Sequence, residues 1–256
     1  MTTVAVLADP PREGLVFSTL AGETSMSHSD ATELYVACLK DVVRAIEASN
    51  GELLVNYRPD ELLPIEFPGV ESVESEVRSV VTEVLDDPDV RFERQVGSTR
   101  SARVGNTVTH LLDREGVASA AVVDPTVPLL SRTHVDSAAM QLRRHETVLG
   151  PAEEGRIYYA GFTAPIDFED SYRAPELETL VERSRDADHD VTFLPALPTL
   201  DTPGGLCSVV SQIRARRAAD STVPEHTAAW IEDRDVRVVE SDGNRRVRLA
   251  REGAFD

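Results

Sequence analysis

The chain has 256 residues, with 45 acidic side chains against 26 basic ones and a formal net charge of -19. Such a balance repels polyphosphate backbones and anionic lipid, which excludes a general nucleic-acid or membrane-surface binder. An apolar fraction of 41% at this length supplies a substantial core, which excludes a disordered acidic protein. Lys40 is the only lysine, so 25 of the 26 basic residues are arginine, and the acids are spread over nearly every segment. That pattern reads as the solvated shell of a protein from a salt-accumulating cytoplasm, the other reading being an acidic surface that recruits a basic partner. Cys38 and Cys207 make no C-x-x-C pair. The first residues lack a basic-then-apolar leader, and no run approaches the ~18 apolar residues of a membrane span, so a soluble cytoplasmic protein is expected.

In chain order, short β-branched runs alternate with segments of helical period, the sign of a parallel α/β sheet. Residues 4–8 predict a buried strand. Residues 29–48 predict a helix with Tyr35, Leu39, Val42 and Ile46 on one stripe and Ser27 or Ser29 as cap. A strand at 53–57 follows, then a Pro-punctuated stretch, a helix at 73–85, a strand at 90–95 and a helix at 101–115 ending at Gly116. The near-continuous apolar run 117–123, VASAAVV, belongs in the middle of a covered sheet. A helix at 135–144, strands at 148 and 157–162, a helix at 174–185, a strand at 191–194 and a helix at 205–218 complete a unit expected to span residues 1–220.

Residues 221–256 change in character. A short helix at 225–231 precedes two alternating runs joined by Asp242-Gly243-Asn244, a strong hairpin signal. Much of the scarce positive charge lies here, on Arg234, Arg237, Arg245, Arg246, Arg248 and Arg251. The hairpin is expected either to pair its arginines with the acidic body or to form a partner or homo-oligomer contact.

No histidine pair has metal-ligand spacing, and there is no G-x-S-x-G elbow, Walker A loop or G-x-G-x-x-G. In an open parallel sheet, ligands bind beyond the carboxyl ends of the strands, so residues there carry most of the functional information. Four places qualify: the loop Ala8-Asp9-Pro10-Pro11-Arg12-Glu13-Gly14; Asp124, with Pro125 and Thr126; residues 150–161, GPAEEGRIYYAG; and Leu200-Asp201-Thr202-Pro203. A hard divalent ion such as Mg²⁺ needs a few carboxylates plus phosphate oxygens and water, and Asp124 with Asp201 or Glu154 offers such a pair. Taken singly, Asp124-Pro125-Thr126 also reads as a turn, and Asp201-Thr202-Pro203 as a helix cap.

As a set, these segments resemble the glycosyltransferase-like family of the nucleotide-diphospho-sugar transferase superfamily, of the radical-SAM/selenodomain-associated transferase 1 type, over roughly residues 3–218. GPAEEGRIYYAG is similar to that family's G-P-A-x-D-G-G-Y-Y-x-x-G, with Glu154 for an aspartate and Arg156 for a glycine. LPTLDTPGGL resembles its L-x-D-x-D-T-P-x-D-L. Gln95, Gly97 and Arg103 resemble its Q-G…G-x-R. Asp124 falls at its G-S-D-x-P, here preceded by Val122 and Val123. The family's first loop, K-x-P-x-P-G-x-x-K-T-R-L, keeps its frame at Pro11, Gly14 and Leu20, while Asp9, Leu15, Phe17 and Thr19 replace its cations.

The resemblance implies a glycosyltransferase-A-like, three-layer α/β sandwich around a mostly parallel sheet. It implies a metal-dependent glycosyl- or nucleotidyltransferase binding a nucleotide or nucleotide-sugar, with Mg²⁺ or Mn²⁺ on Asp124 and Asp201 and with Asp124 and Glu154 catalytic. Ala8, Asp9, Pro11, Arg12, Gly14, Gln95, Arg103, Gly150, Gly155 and Tyr158 would line the substrate, with Arg12 able to stand in for the missing first-loop cations. A non-catalytic relative that keeps the scaffold as a binding or regulatory protein is the alternative. A nucleotidyltransferase that activates phospholactate for deazaflavin synthesis shares the fold but needs a basic triphosphate loop.

Overall fold

A computed structural model describes residues 1–86, 89–241 and 243–249. Its main sheet has seven strands: β1 (Thr2–Ala8), β2 (Glu52–Tyr57), β3 (Arg91–Arg94), β4 (Ser119–Val123), β5 (Thr147–Pro151), β6 (Ile157–Phe162) and β7 (Val191–Phe193), in the order β3-β2-β1-β4-β6-β5-β7. All pairings are parallel except those of β6 with β4 and β5. The exception has a local cause: only residues 152–156 separate β5 from β6. Five residues suffice for a hairpin and are far short of a crossover.

Alternate residues of the strands face two cores. Val4, Val6, Val55, Ala121 and Val123 pack on α2 (His28–Glu47), α3 (Val73–Thr82), α5 (Arg132–Gln141) and α7 (Pro203–Ala218). Ala5, Leu54, Ala120, Val122 and Leu149 pack on α4 (Arg100–Thr109) and α6 (Glu176–Asp186). Every residue of β4 is buried, as expected for a strand covered on both faces. The result is a three-layer α/β sandwich.

Ser27 is the residue that caps α2: its hydroxyl accepts from the Asp30 amide at 3.0 Å in a capping box. Several boundaries differ from the sequence pattern. A short helix, α1 (Ser18–Glu23), lies where none was expected, and α3 stops at Thr82. The helix expected over 101–115 ends as an α-helix at Thr109 and continues as a π turn, His110–Arg114, before Gly116 turns the chain at φ 68°.

At the carboxyl end, α8 (Glu225–Asp233) is seated on α2 by Asp41, whose carboxylate accepts the His226 and Thr227 amides at 2.9 and 2.7 Å. Ala228, Trp230 and Ile231 enter the same core as α2. The hairpin β8 (Arg237–Ser241) and β9 (Asn244–Arg248) packs on α7, with Val247 buried. Asp242 and Arg251 lie outside the described residues. Among the described residues no helix is long and apolar enough to cross a membrane.

Candidate functional site

The carboxyl ends of β1, β2 and β4 and the start of α4 meet at one spot. β1 ends at the fully buried Ala8, and the next residue, Asp9, is clamped through its backbone. The Tyr35 hydroxyl accepts from the Asp9 amide at 2.9 Å and donates to the Asp9 carbonyl at 3.0 Å. Arg58, the first residue after β2, donates to the Leu62 carbonyl through Nε and Nη2, which leaves Nη1 3.7 Å from Asp9 Oδ1. Burial pushes the Asp9 carboxyl up, and the charges of Arg58, Arg103 and Arg100 oppose the rise.

Thr99 caps α4, accepting from the Ala102 amide at 3.1 Å, and the first turn of the helix carries Arg100 and Arg103 but no acid. Cations there oppose the helix dipole, whose amino end favours anions. Arg100 is tied in a close ion pair to Asp124 Oδ2 and lies 5.0 Å over the Tyr172 ring. The Arg103 guanidinium makes no hydrogen bond or ion pair with a described residue. Burial disfavours its charge, as do the neighbouring cations Arg58 and Arg100, with Asp9 acting the other way.

Asp124 follows β4, its amide donating to the Tyr158 carbonyl at 3.2 Å. Burial raises its pKa, Arg100 resists, and the charges of Asp201 and Asp9 raise it further. Asp201 stands directly before the residue that caps α7. The cap of α7 is Thr202, which accepts the Gly205 amide at 3.0 Å, with Pro203 in the first helical turn. The Asp201 carboxylate is therefore spared from capping: Oδ2 accepts from the Thr126 hydroxyl at 3.1 Å, and Oδ1 faces Arg156 at 3.9 Å.

Other expected residues are placed differently. Arg12 does not enter the site. Its guanidinium is spent on both oxygens of Glu76, on Asp60 and on the Phe67 carbonyl, with the side chain 10% exposed, so it is not the expected substitute cation. Leu15 and Phe17 pack on the core, Phe17 edge-on to Tyr35 at 5.5 Å, and Gly14 turns the loop at φ 80°. The buried Gln95 side chain donates to the Asn56 carbonyl at 2.7 Å. Tyr158, 1% exposed, donates to the Pro195 carbonyl at 2.9 Å and lays its ring on Gly150. Glu154 stands exposed at φ 59° beside Gly155, without a hydrogen-bond partner among the described residues. Its neighbour Glu153 is the one engaged, accepting the Thr199 amide at 3.2 Å.

The structure adds residues that the sequence did not single out. Arg58 stands directly after a strand, so the rule that drew attention to Asp9 and Asp124 applied to it too. Arg100 and Glu176 come from helix starts. Glu176 is half-buried near Asp124, its pKa raised by burial, with Arg100 pulling it down and Asp124 pushing it up.

No protein-family model matches the sequence, and no curated protein matches it. Solved structures do. The chain is similar to the "putative nucleotide-diphospho-sugar transferase from Desulfovibrio desulfuricans G20", at 19% identity and a TM-score of 0.73 over 91% of this chain and 95% of that one. It is also similar, at 12% identity and a TM-score of 0.49 over 91% and 94%, to a cytidylyltransferase from Leptospira borgpetersenii serovar Hardjo-bovis. The first likeness establishes that the fold of this chain is that of a nucleotide-diphospho-sugar transferase.

Proposed function

We propose that the protein is a glycosyl- or nucleotidyltransferase that binds the phosphates of a nucleotide-activated substrate on Arg58, Arg100 and Arg103. The observation that carries this reading is the arginine cluster itself. Its members crowd one another at the carboxyl edge of the sheet and at the amino end of a helix, and Arg103 has no carboxylate of its own. Like charges held together at a helix amino terminus are stabilised by an anion. On this reading Arg58, directly after β2, and Arg100 and Arg103 of α4 take the part of the cations missing from the first loop.

Asp124 and Asp201 suit the Mg²⁺ or Mn²⁺ that the resemblance implies. Asp124 feels the charge of Asp201, Asp124 Oδ1 takes no hydrogen bond among the described residues, and Asp201 Oδ1 has only the long contact to Arg156. A bound ion there would neutralise phosphate oxygens and favour departure of the leaving group. The protein's own part is to orient the diphosphate with the three arginines and to hold Asp124 in place through Arg100 and the Tyr158 carbonyl. Glu176, made more basic by burial, is the carboxylate available to accept an acceptor proton; the exposed Glu154 is left to contact the acceptor.

The test is thermal unfolding in molar potassium salt with UDP, GDP or GTP and Mn²⁺. A ligand that binds only the native state raises stability by about 2.7 kcal/mol at a hundred times its Kd. A rise in Tm with at least one nucleotide, lost in Arg103→Gln, supports the reading; no rise at millimolar nucleotide removes it.

A further inference from the structure

A second cluster of ligand-type side chains stands at the other end of α4, about 15 Å along the helix from Arg100. β3 is the outermost strand at its edge of the sheet. Between it and the α4–π-turn segment runs a groove of about 830 Å³, lined by Asn56, Glu93, Asn106, His110 and Asp113 among others. Beside it, one ligand atom each from Glu93, His110 and Glu115 lie within 4.8 Å of one another.

The π turn brings two of them together. In an α-helix, residues five apart point about 140° away from each other. Here the Glu115 amide donates to the His110 carbonyl at 3.1 Å, an i to i+5 bond, which stacks the pair on one face with His110 Nε2 3.1 Å from Glu115 Oε1. Such turns are rare and recur at functional sites. Glu93 meets them from the edge strand.

A positive charge already occupies the cluster. Arg91 donates through Nε to Glu93 Oε1 at 2.7 Å and through Nη2 to both Glu93 and Glu115. Its side chain is 31% exposed, so it has a path outward. One imidazole and two carboxylates are the donor set of a borderline divalent ion, and three protein ligands leave a fourth position open.

We propose that Glu93, His110 and Glu115 form a binding site for a zinc-class divalent ion, which replaces the Arg91 guanidinium between the two glutamates. The open fourth position takes water or an oxygen ligand from the adjoining groove. The site is independent of the nucleotide reading, since it shares no residue with the Asp124 region.

Equilibrium dialysis of the full chain against Zn²⁺ in a chloride-free potassium salt tests it. One Zn²⁺ per chain is expected, weakened at least about tenfold by His110→Ala and by Glu115→Gln, and tightened by Arg91→Met. His110 is 54% exposed, so His110→Ala keeps its fold, which an unchanged Tm without metal verifies. Co²⁺ gives a second readout: it broadens the His110 ring resonances in the wild type. The proposal is overturned if Zn²⁺ does not bind, if it binds only once Arg91 is removed, or if it survives His110→Ala and disappears with Asp124→Asn.

Discussion

The guanidinium of Arg12 grips both carboxylate oxygens of Glu76, with Nε at 3.2 and 3.1 Å and Nη2 at 2.8 Å. Asp60 and the Phe67 and Glu71 carbonyls take further donors, so the first loop is pinned to α3 and to the segment before it. Removing one partner of a buried ion pair costs ~3–5 kcal/mol; Asp60 is half exposed, so Arg12→Ala is expected to cost about 2–3 kcal/mol. Nucleotide affinity should remain within about twofold. Denaturant unfolding alongside nucleotide titration checks both, and a Kd weakened tenfold at unchanged stability contradicts the structural role.

The same residue shows where sequence reading runs out. The strands were legible because their apolar runs are buried on one or both faces, and the nucleotide-diphospho-sugar transferase fold was implied by the resemblance of GPAEEGRIYYAG and LPTLDTPGGL to that family. Which arginine stands beside Asp9 was not legible. Arg12 and Arg58 each follow a strand closely, and only the fold shows that Glu76, sixty-four positions from Arg12, captures one while Asp9 borders the other. Glu154 and Glu153 pose the same difficulty, because a single left-handed residue decides which of two neighbours turns inward. The π turn was hidden for a related reason: 101–115 keeps helical composition throughout, and nothing in it marks the change to an i to i+5 bond at His110.

Gly150 owes its identity to Tyr158. A Cβ at this position would lie 2.6 Å from Tyr158 Cζ and 2.8 Å from two further ring carbons, and the ring is fixed by its bond to Pro195. Overpacking of this kind costs ~1–3 kcal/mol, so Gly150→Ala should lower Tm by several degrees. In Gly150→Ala combined with Tyr158→Leu, the alanine should cost far less, and a double-mutant cycle measures the coupling. Additive losses would show that the ring is not the obstacle.

Arg103 distinguishes an anion site from an ion-pair network. Arg58 and Arg100 each have a carboxylate to lose, whereas Arg103 is held among cations without one. Arg103→Gln should leave Tm unchanged or slightly higher without ligand, because it removes like-charge crowding. With nucleotide it should weaken binding by about tenfold to a hundredfold, the range of one charge-assisted hydrogen bond at ~1.5–3 kcal/mol. Isothermal titration with GDP or UDP reads the second effect, and a variant that loses stability while keeping its affinity would reverse the assignment.

Two histidines contribute a loss of stability in mildly acidic solution. His189 is 5% exposed, its Nδ1 2.9 Å from the Thr147 hydroxyl, and His134 Nδ1 accepts the Ser131 amide at 3.1 Å in the cap of α5. Burial pushes both pKa values down; Arg216 adds to the effect on His134, and Glu146 opposes it on His189. The folded state therefore binds fewer protons than the unfolded chain, whose histidines titrate near ~6.5. Stability from these groups is complete above that pH and is lost as the pH falls below it. Asp9, Asp41 and Asp124, all raised by burial, act in the opposite sense and gain stability on acidification. The difference between wild type and His189→Gln isolates the histidine: Tm should fall less steeply from pH 7.5 to 5.5 in the variant. Parallel curves would mean that His189 is protonated equally in the folded and unfolded chain.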